Sequence, residues 1–561
     1  MKRRIFAILL AIAMLCPMLL TGCGGSSTET GSEEQQQTTR NTVSINMWVV
    51  TDKNTTEDAK AAVEEEFNRI TKSSFTTKVD LVFVTADEYV EALNNKFASA
   101  DEAKANITTP VTTGSDTAPV KDELETNEYG VSVLKYPEIG EEQIDIVYVQ
   151  GFDHLNSLVK ANKLINLNEH ISNTGRAKIL TDVISDSLFK YTKINGNTYA
   201  IPNNRIIGEY TYLLVNKDVV GGDANGDGTV SPDELKGTYF NFNDINTFFD
   251  CSDVIEYIKA NRSDLVPVLE EFDNPYVYYW DDDSDFSILG SKATFGSQKA
   301  SSNDQYNMRN VFSIKEFTEF ELMMKKYETN GYFAADASKV KEDQNFGVAV
   351  LSGDSSIIDQ YSDKYYVKVI STPTLTNENV FTSFFGITSY CKNVDRALEV
   401  ITMLNTDAEL RNVLQYGVEG IHYELDENDR VERFNKDYIM NLEDTGNVFV
   451  AYPEEGMKDD IWELGVKSNL DIRVHALTGL WSNWLNVDKD ILANLDNVSK
   501  SFKDRMDACK TVEELQAFFD TAKTEVDENE AFKAATNVEN AASPKAVYSK
   551  WYTTNWPSSE E

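Results

Sequence analysis

Lys193 to Val220 reads KINGNTYAIPNNRIIGEYTYLLVNKDVV, and the fold is decided there. Asn195-Gly196 is a two-residue hairpin turn, because both central positions tolerate positive φ. Pro202-Asn203-Asn204 then forces extended, irregular backbone. Tyr210 to Val215 (YTYLLV) reads as a buried strand of aromatic and β-branched residues. Strand, break and strand in this order is how a chain crosses from one lobe to another.

Length and charge bound the class. A chain of 561 residues exceeds one ordinary core, so two lobes are expected. Hydrophobic content of 41% and aromatic content of 11% suffice for packed globular lobes. With 52 basic and 92 acidic residues the net charge is −40, and it reaches −43 once Lys2, Arg3 and Arg4 are removed. Such a chain repels phosphate backbones, which argues against a nucleic-acid partner. The acids are spread along the chain, so they form a solvated surface rather than an acidic tail.

The N-terminus carries an address. Met1 to Arg4 is a basic segment, and Ile5 to Leu20 is apolar but too short to span comfortably as a permanent helix. It ends in Leu20-Thr21-Gly22-Cys23, which resembles the lipobox of bacterial lipoproteins and implies cleavage before Cys23 and acylation of that residue. Residues 24–41 are polar and lack large apolar groups, the composition of a flexible tether. The expected location is the extracytoplasmic face of the cell membrane, held by lipid alone. Beyond Cys16 and Cys23, only Cys251, Cys391 and Cys509 remain, widely spaced, so buried free thiols are expected rather than a disulfide framework.

In chain order, Ser44–Val49 reads as a strand, and Thr56 opens a helix with Ala59, Ala62, Val63, Phe67 and Ile70 on one face. Lys78–Val84 is the next strand, followed by a helix started by Thr85 and Glu88. Residues 100–142 read as a surface insertion, and the sheet resumes at Ile144–Val149. Alternating strands and helices define a parallel α/β lobe, whose ligands sit beyond the carboxyl ends of its strands. Trp48 and Tyr148 are placed there. Further on, a helix is expected within Asp253–Leu269, and strands at Phe346–Leu351 and Tyr365–Ile370. Phe381–Tyr390 returns to the first lobe, two helices follow at 397–404 and 408–416, and the tail is helical.

Several stretches together carry a family likeness: the leader and lipobox, AVEEEFNRITK, QIDIVYV, INGNTYAIPNN, EYTYLLVNKDVV and YGVEGIHYEL. The chain resembles bacterial extracellular solute-binding proteins of ABC importers, of the carbohydrate type, and most of all the large lipoproteins associated with oligosaccharide uptake. That resemblance implies a type II periplasmic-binding fold, with two discontinuous α/β lobes closing by a hinge on a ligand in the cleft. On this reading 1–22 is a signal peptide and 23–42 a tether, 43–208 and 381–460 form the first lobe, and 209–380 and 461–561 form the second. A monomer that delivers its ligand to permease subunits is implied. The resemblance to maltose-type proteins points to Tyr276, Tyr278 and Trp280 as sugar contacts, and the family position in DIRVHALTGLWSNWL points to Trp481. A buried core cluster is the competing reading of these aromatics. Asp52, Asn204, Glu209 and Tyr210, near the crossover, are candidates to read ligand hydroxyls.

The sharpest motif lies just past the crossover. Asp223 to Glu234 fits the calcium-loop pattern D-x-[DN]-x-[DN]-G-x5-E at every defined position. Asp223, Asn225 and Asp227 supply side-chain oxygens, Thr229 a carbonyl, Ser231 a direct or water-mediated contact, and Glu234 two oxygens. No second loop pairs with it, so a structural calcium clamp near the hinge is expected rather than a sensor. No H-E-x-x-H, G-x-S-x-G or P-loop occurs, and the four histidines are scattered, so no enzyme is predicted. A transporter-independent glycan-binding lipoprotein and a two-carboxylate hydrolase are the alternatives.

Overall fold

The computed structural model describes residues 41–106, 124–126, 132–173, 175, 177–222, 240–269, 276–280, 285–292, 307–475, 477–480 and 486–555. The leader, Cys23, nearly all of the tether, the calcium-type loop at 223–234 and Trp481 lie outside the described residues.

Two sheets organise the chain. In chain order their strands are β1 (Val43–Thr51), β2 (Thr77–Thr85), β3 (Ile146–Gln150), β4 (Ala200–Pro202), β5 (Tyr210–Asn216), β6 (Val266–Leu269), β7 (Phe346–Gly353), β8 (Tyr365–Ser371) and β9 (Ser383–Ile387). The first sheet has the order β2-β1-β3-β9-β4, and the second β6-β7-β5-β8. In the first, β1 runs parallel to β2 from Val43 opposite Thr77 to Thr51 opposite Thr85. It is buried along nearly its whole length, as a central parallel strand covered on both faces must be.

Each sheet contains one strand that has crossed from the other. β5 is antiparallel to both its neighbours, with Tyr210 opposite Gly353 and Asn216 opposite Tyr365. β9 is likewise antiparallel to both of its own, with Ser383 opposite Gln150 and Phe384 opposite Pro202. A strand that enters against the direction of its neighbours starts at their carboxyl ends. The crossings and the ligand-side edge of the sheet therefore coincide.

Local sequence explains the elements. α1 (Glu57–Phe75) is capped by Thr56, whose hydroxyl accepts from the Ala59 amide at 3.2 Å. Val63, Phe67 and Ile70 are buried along its expected face, while Ala62 is only half-buried. Each such side chain contributes roughly 1.5–3 kcal/mol when fully buried. The Asn195-Gly196 turn has φ of 51° and 79°, and Ile194 and Asn197 exchange backbone hydrogen bonds across it. Cys251 and Cys509 are buried and Cys391 is half-buried, all with free thiols.

Two expectations are corrected. The helix after β2 extends from Ala86 to Asn106, past the expected start of the insertion, which carries a two-stranded hairpin of Leu124–Thr126 and Ser132–Leu134. The helix within 253–269 is Ser252–Asn261 only, and Val266-Pro267-Val268-Leu269 is strand β6, parallel to β7. Its β-branched residues suit a pleated strand, and Pro267 at its edge forgoes no ladder bond. Ile461–Leu470 packs on the crossing itself, whereas the helices from Lys489 onward enclose a separate core with Val277, Ile288, Leu289, Met308, Val311 and Phe312. Helix α2 (Lys315–Thr329) joins the two cores, Phe317 facing one and Phe320 and Tyr327 the other. Among the described residues, no helix is long and apolar enough to cross a membrane.

Candidate functional site

The chain passes between the sheets at 203–209, at 372–382 and again around 451–474, and side-chain amides tie these passages together. Asn469 is central: its Nδ2 donates to the Arg205 carbonyl at 2.7 Å, and its Oδ1 accepts from the Ile207 amide at 2.9 Å. The Ser468 hydroxyl donates to the Gly208 carbonyl at 2.5 Å, and Tyr210 Oη donates to Asp471 at 2.5 Å. Gly465 lets this helix approach so closely, since a Cβ there would lie 2.5 Å from Ile206 Cγ1. The second passage is folded by a capping box between Thr376 and Asn379, and it is stitched to the third by Thr374–Leu375 pairing in parallel with Arg473–Val474. Backbone polar groups that a linker would normally leave to water are thus satisfied by neighbouring side chains.

Residues 437–448 lie as a floor across the carboxyl ends of the first sheet, beside these crossings. The Thr56 amide donates to the Asp437 carbonyl at 2.9 Å, and the Asp52 amide to Ile439 at 3.2 Å. The Ser383 hydroxyl donates to the Glu443 carbonyl at 2.7 Å, and the Val448 amide to Asn204 at 2.9 Å. Beneath the segment, a buried polar layer holds its carbonyls: Arg411 donates to Leu442 and Gln415 to Met440, each at 2.7 Å. The Arg411 guanidinium is fully buried, which lowers its pKa to about 10.

Two carboxylates rise from this floor. Tyr148 Oη donates to Asp444 Oδ1 at 2.9 Å, and burial, helped by neighbouring Glu443, pushes the Asp444 carboxyl up to about 6. Glu443 is 48% exposed on its outer side, with Oε2 3.6 Å from Arg205 Nε. Such a floor presents acceptors, the complement of a ligand rich in hydroxyl donors.

The expected site residues divide sharply. Asp52, at the end of β1, is partly exposed at the floor's edge, where it accepts from the Asn54 amide at 2.8 Å. Glu209 is exposed on the first crossing. Tyr148 is buried in the core and reaches the site only through its hydroxyl. Trp48 is a correction: it sits inside β1, 8% exposed, short of the carboxyl end. Asn204 is another, because its side chain is committed to Val183, Asn447 and the Ser185 amide. Tyr210 is buried and engaged by Asp471.

Of the expected aromatic contacts, Trp280 and Tyr276 are buried. Trp280 is 1% exposed within the helical core, and Tyr276 packs on Phe249 at 4.4 Å and on Phe320 at 5.8 Å. Of the acids that follow Trp280, Asp285 is exposed, and Asp281, Asp282 and Asp283 lie outside the described residues. Tyr278 is half-buried and meets the His475 ring at 4.8 Å. His422 is a structural group, its Nδ1 accepting from the Val418 amide at 2.9 Å. Asp444, Glu443 and Arg205 were missed, and the run Leu-Glu-Asp-Thr-Gly-Asn at 442–447 offered only a generic loop signal.

Two α/β sheets, each receiving an antiparallel strand from the other across a hinge, define the type II periplasmic solute-binding fold. The crystal structure of the N-glycan transport solute-binding protein NgtS from Streptococcus pneumoniae is similar over 91% of this chain and 99% of that one, with a TM-score of 0.55 and 15% identity. A curated relative, a carbohydrate ABC transporter substrate-binding protein from Streptococcus pneumoniae serotype 4, is 22% identical over 335 residues. That match takes in 56% of this chain and 63% of the relative's length. No family model matches the chain.

Proposed function

We propose that this protein is the solute-binding component of an ABC importer and captures an oligosaccharide in the cleft above residues 437–448. The carrying observation is the coincidence of the crossings with an acceptor-rich floor of Asp52, Glu443 and Asp444. A ligand held there bridges both lobes, and closure then presents the loaded form to permease subunits. The N-glycan and carbohydrate transport roles named for its relatives support this reading. Acylation at Cys23 anchors the chain to the outer face of the membrane, and it acts as a monomer. The loop from Asp223 to Glu234 holds calcium as a structural clamp, a reading that rests on its residue pattern.

Titrating intrinsic tryptophan fluorescence with a panel of oligosaccharides and peptides tests the proposal. Saturable change with oligosaccharides is expected. A response to peptides alone refutes it.

A further inference from the structure

We propose that Arg205 is a positioning residue that couples the cleft floor to the hinge, linking the state of the Glu443 carboxylate to the backbone of the second crossing. The proposal rests on reading this cleft as the solute site. Arg205 lies on the first crossing and is 3% exposed, yet its guanidinium touches two other parts of the chain. Nη2 donates to the carbonyl of Asn379, within the second crossing. Nε lies 3.6 Å from Glu443 Oε2, too long for a strong hydrogen bond, and Nη1 is buried with no hydrogen-bond partner among the described residues.

A buried guanidinium with one loose ion pair and an idle donor is an under-satisfied group. Its planar fork cannot tighten on Glu443 without moving relative to the Asn379 carbonyl, because the donors are fixed with respect to one another. Asn379 in turn holds the second crossing, through its capping box with Thr376 and its donation to the Thr374 carbonyl at 2.8 Å. Of the ion pair, Glu443 is the member that water, or a ligand, reaches directly, since Arg205 is buried. Drawing Glu443 outward loosens its hold on the guanidinium, and freeing it inward strengthens that hold. Either displacement reaches the hinge through a single rigid group. Arg205 is itself out of a ligand's reach, so its effect is on lobe geometry rather than on contacts.

The test needs no ligand. Spin labels placed at Glu91→Cys in the first lobe and Glu342→Cys in the second report the open and closed populations of the full chain. Arg205→Lys keeps the charge and loses the fork, while Glu443→Gln keeps the shape and loses the charge. Each is expected to shift the open-to-closed ratio by about 3-fold or more, and the double variant to shift it no further than the larger single effect. Unchanged distance distributions in either variant, or an additive double variant, overturn the proposal. If Arg205→Lys fails to fold, Glu443→Gln decides, because its side chain is half-exposed. A shift here together with a failed oligosaccharide titration would reject the ligand reading and leave the coupling intact.

Discussion

Asp444→Asn should make the protein more stable at neutral pH and flatten its pH dependence. The Asp444 carboxyl is half-buried at the floor, beside Glu443, and its pKa rises from 3.8 to about 6. Desolvation is the larger cause, and the Tyr148 hydrogen bond opposes it. For a carboxyl whose pKa is raised by folding, the protonated form is the one the native state favours. Its contribution to stability is complete below about pH 3.8 and is lost as pH rises through about 6. At 1.36 kcal/mol per tenfold change in proton affinity, the loss by pH 7 is at most about 3 kcal/mol. Asparagine is nearly isosteric, keeps an acceptor for Tyr148, and carries no charge to desolvate. Urea unfolding of both proteins between about pH 4.5 and about pH 7.5 should show the two curves separating as pH rises, the variant being the more stable. Parallel curves would refute the assignment of this site as a buried, strained carboxylate.

Two further outcomes follow from the hinge and its surroundings. Asn469→Ala removes the amide that serves both the Arg205 carbonyl and the Ile207 amide, and should cost about 1–3 kcal/mol in urea unfolding; an unchanged midpoint would show that water replaces it freely. Calcium bound at Asp223–Glu234 adds about 2.7 kcal/mol at a concentration 100-fold above its Kd, so a chelator should lower the melting temperature and Asp223→Asn should abolish that response. A chelator-insensitive melt of the parent protein would count against the loop.

The skeleton was legible because its signals are local. An Asn-Gly turn, a Pro-Asn-Asn break and a β-branched run within 28 residues marked the first crossing, and β4 and β5 fall on either side of the break in different sheets. Strand β6 was lost because four residues after a helix carry too few periods to separate it from a helical tail. The site resisted for a different reason. Its floor unites Asp52, Tyr148, Arg205, Ser383 and Asp444, whose sequence separations reach hundreds of residues, and hydrogen bonds rather than periodicity fix its path. Aromatics near the crossings were read as ligand contacts because ring chemistry suits sugars, yet the same rings are what a core accepts most readily. With 92 acids in the chain, an acidic residue in a loop carries almost no information by itself. What singles out Asp444 is that a tyrosine from the core reaches it and burial resists its ionisation, and both are properties of the folded chain. In this architecture the binding groups are therefore better sought by following what covers the carboxyl ends of the sheet than by ranking residues for their affinity to the ligand.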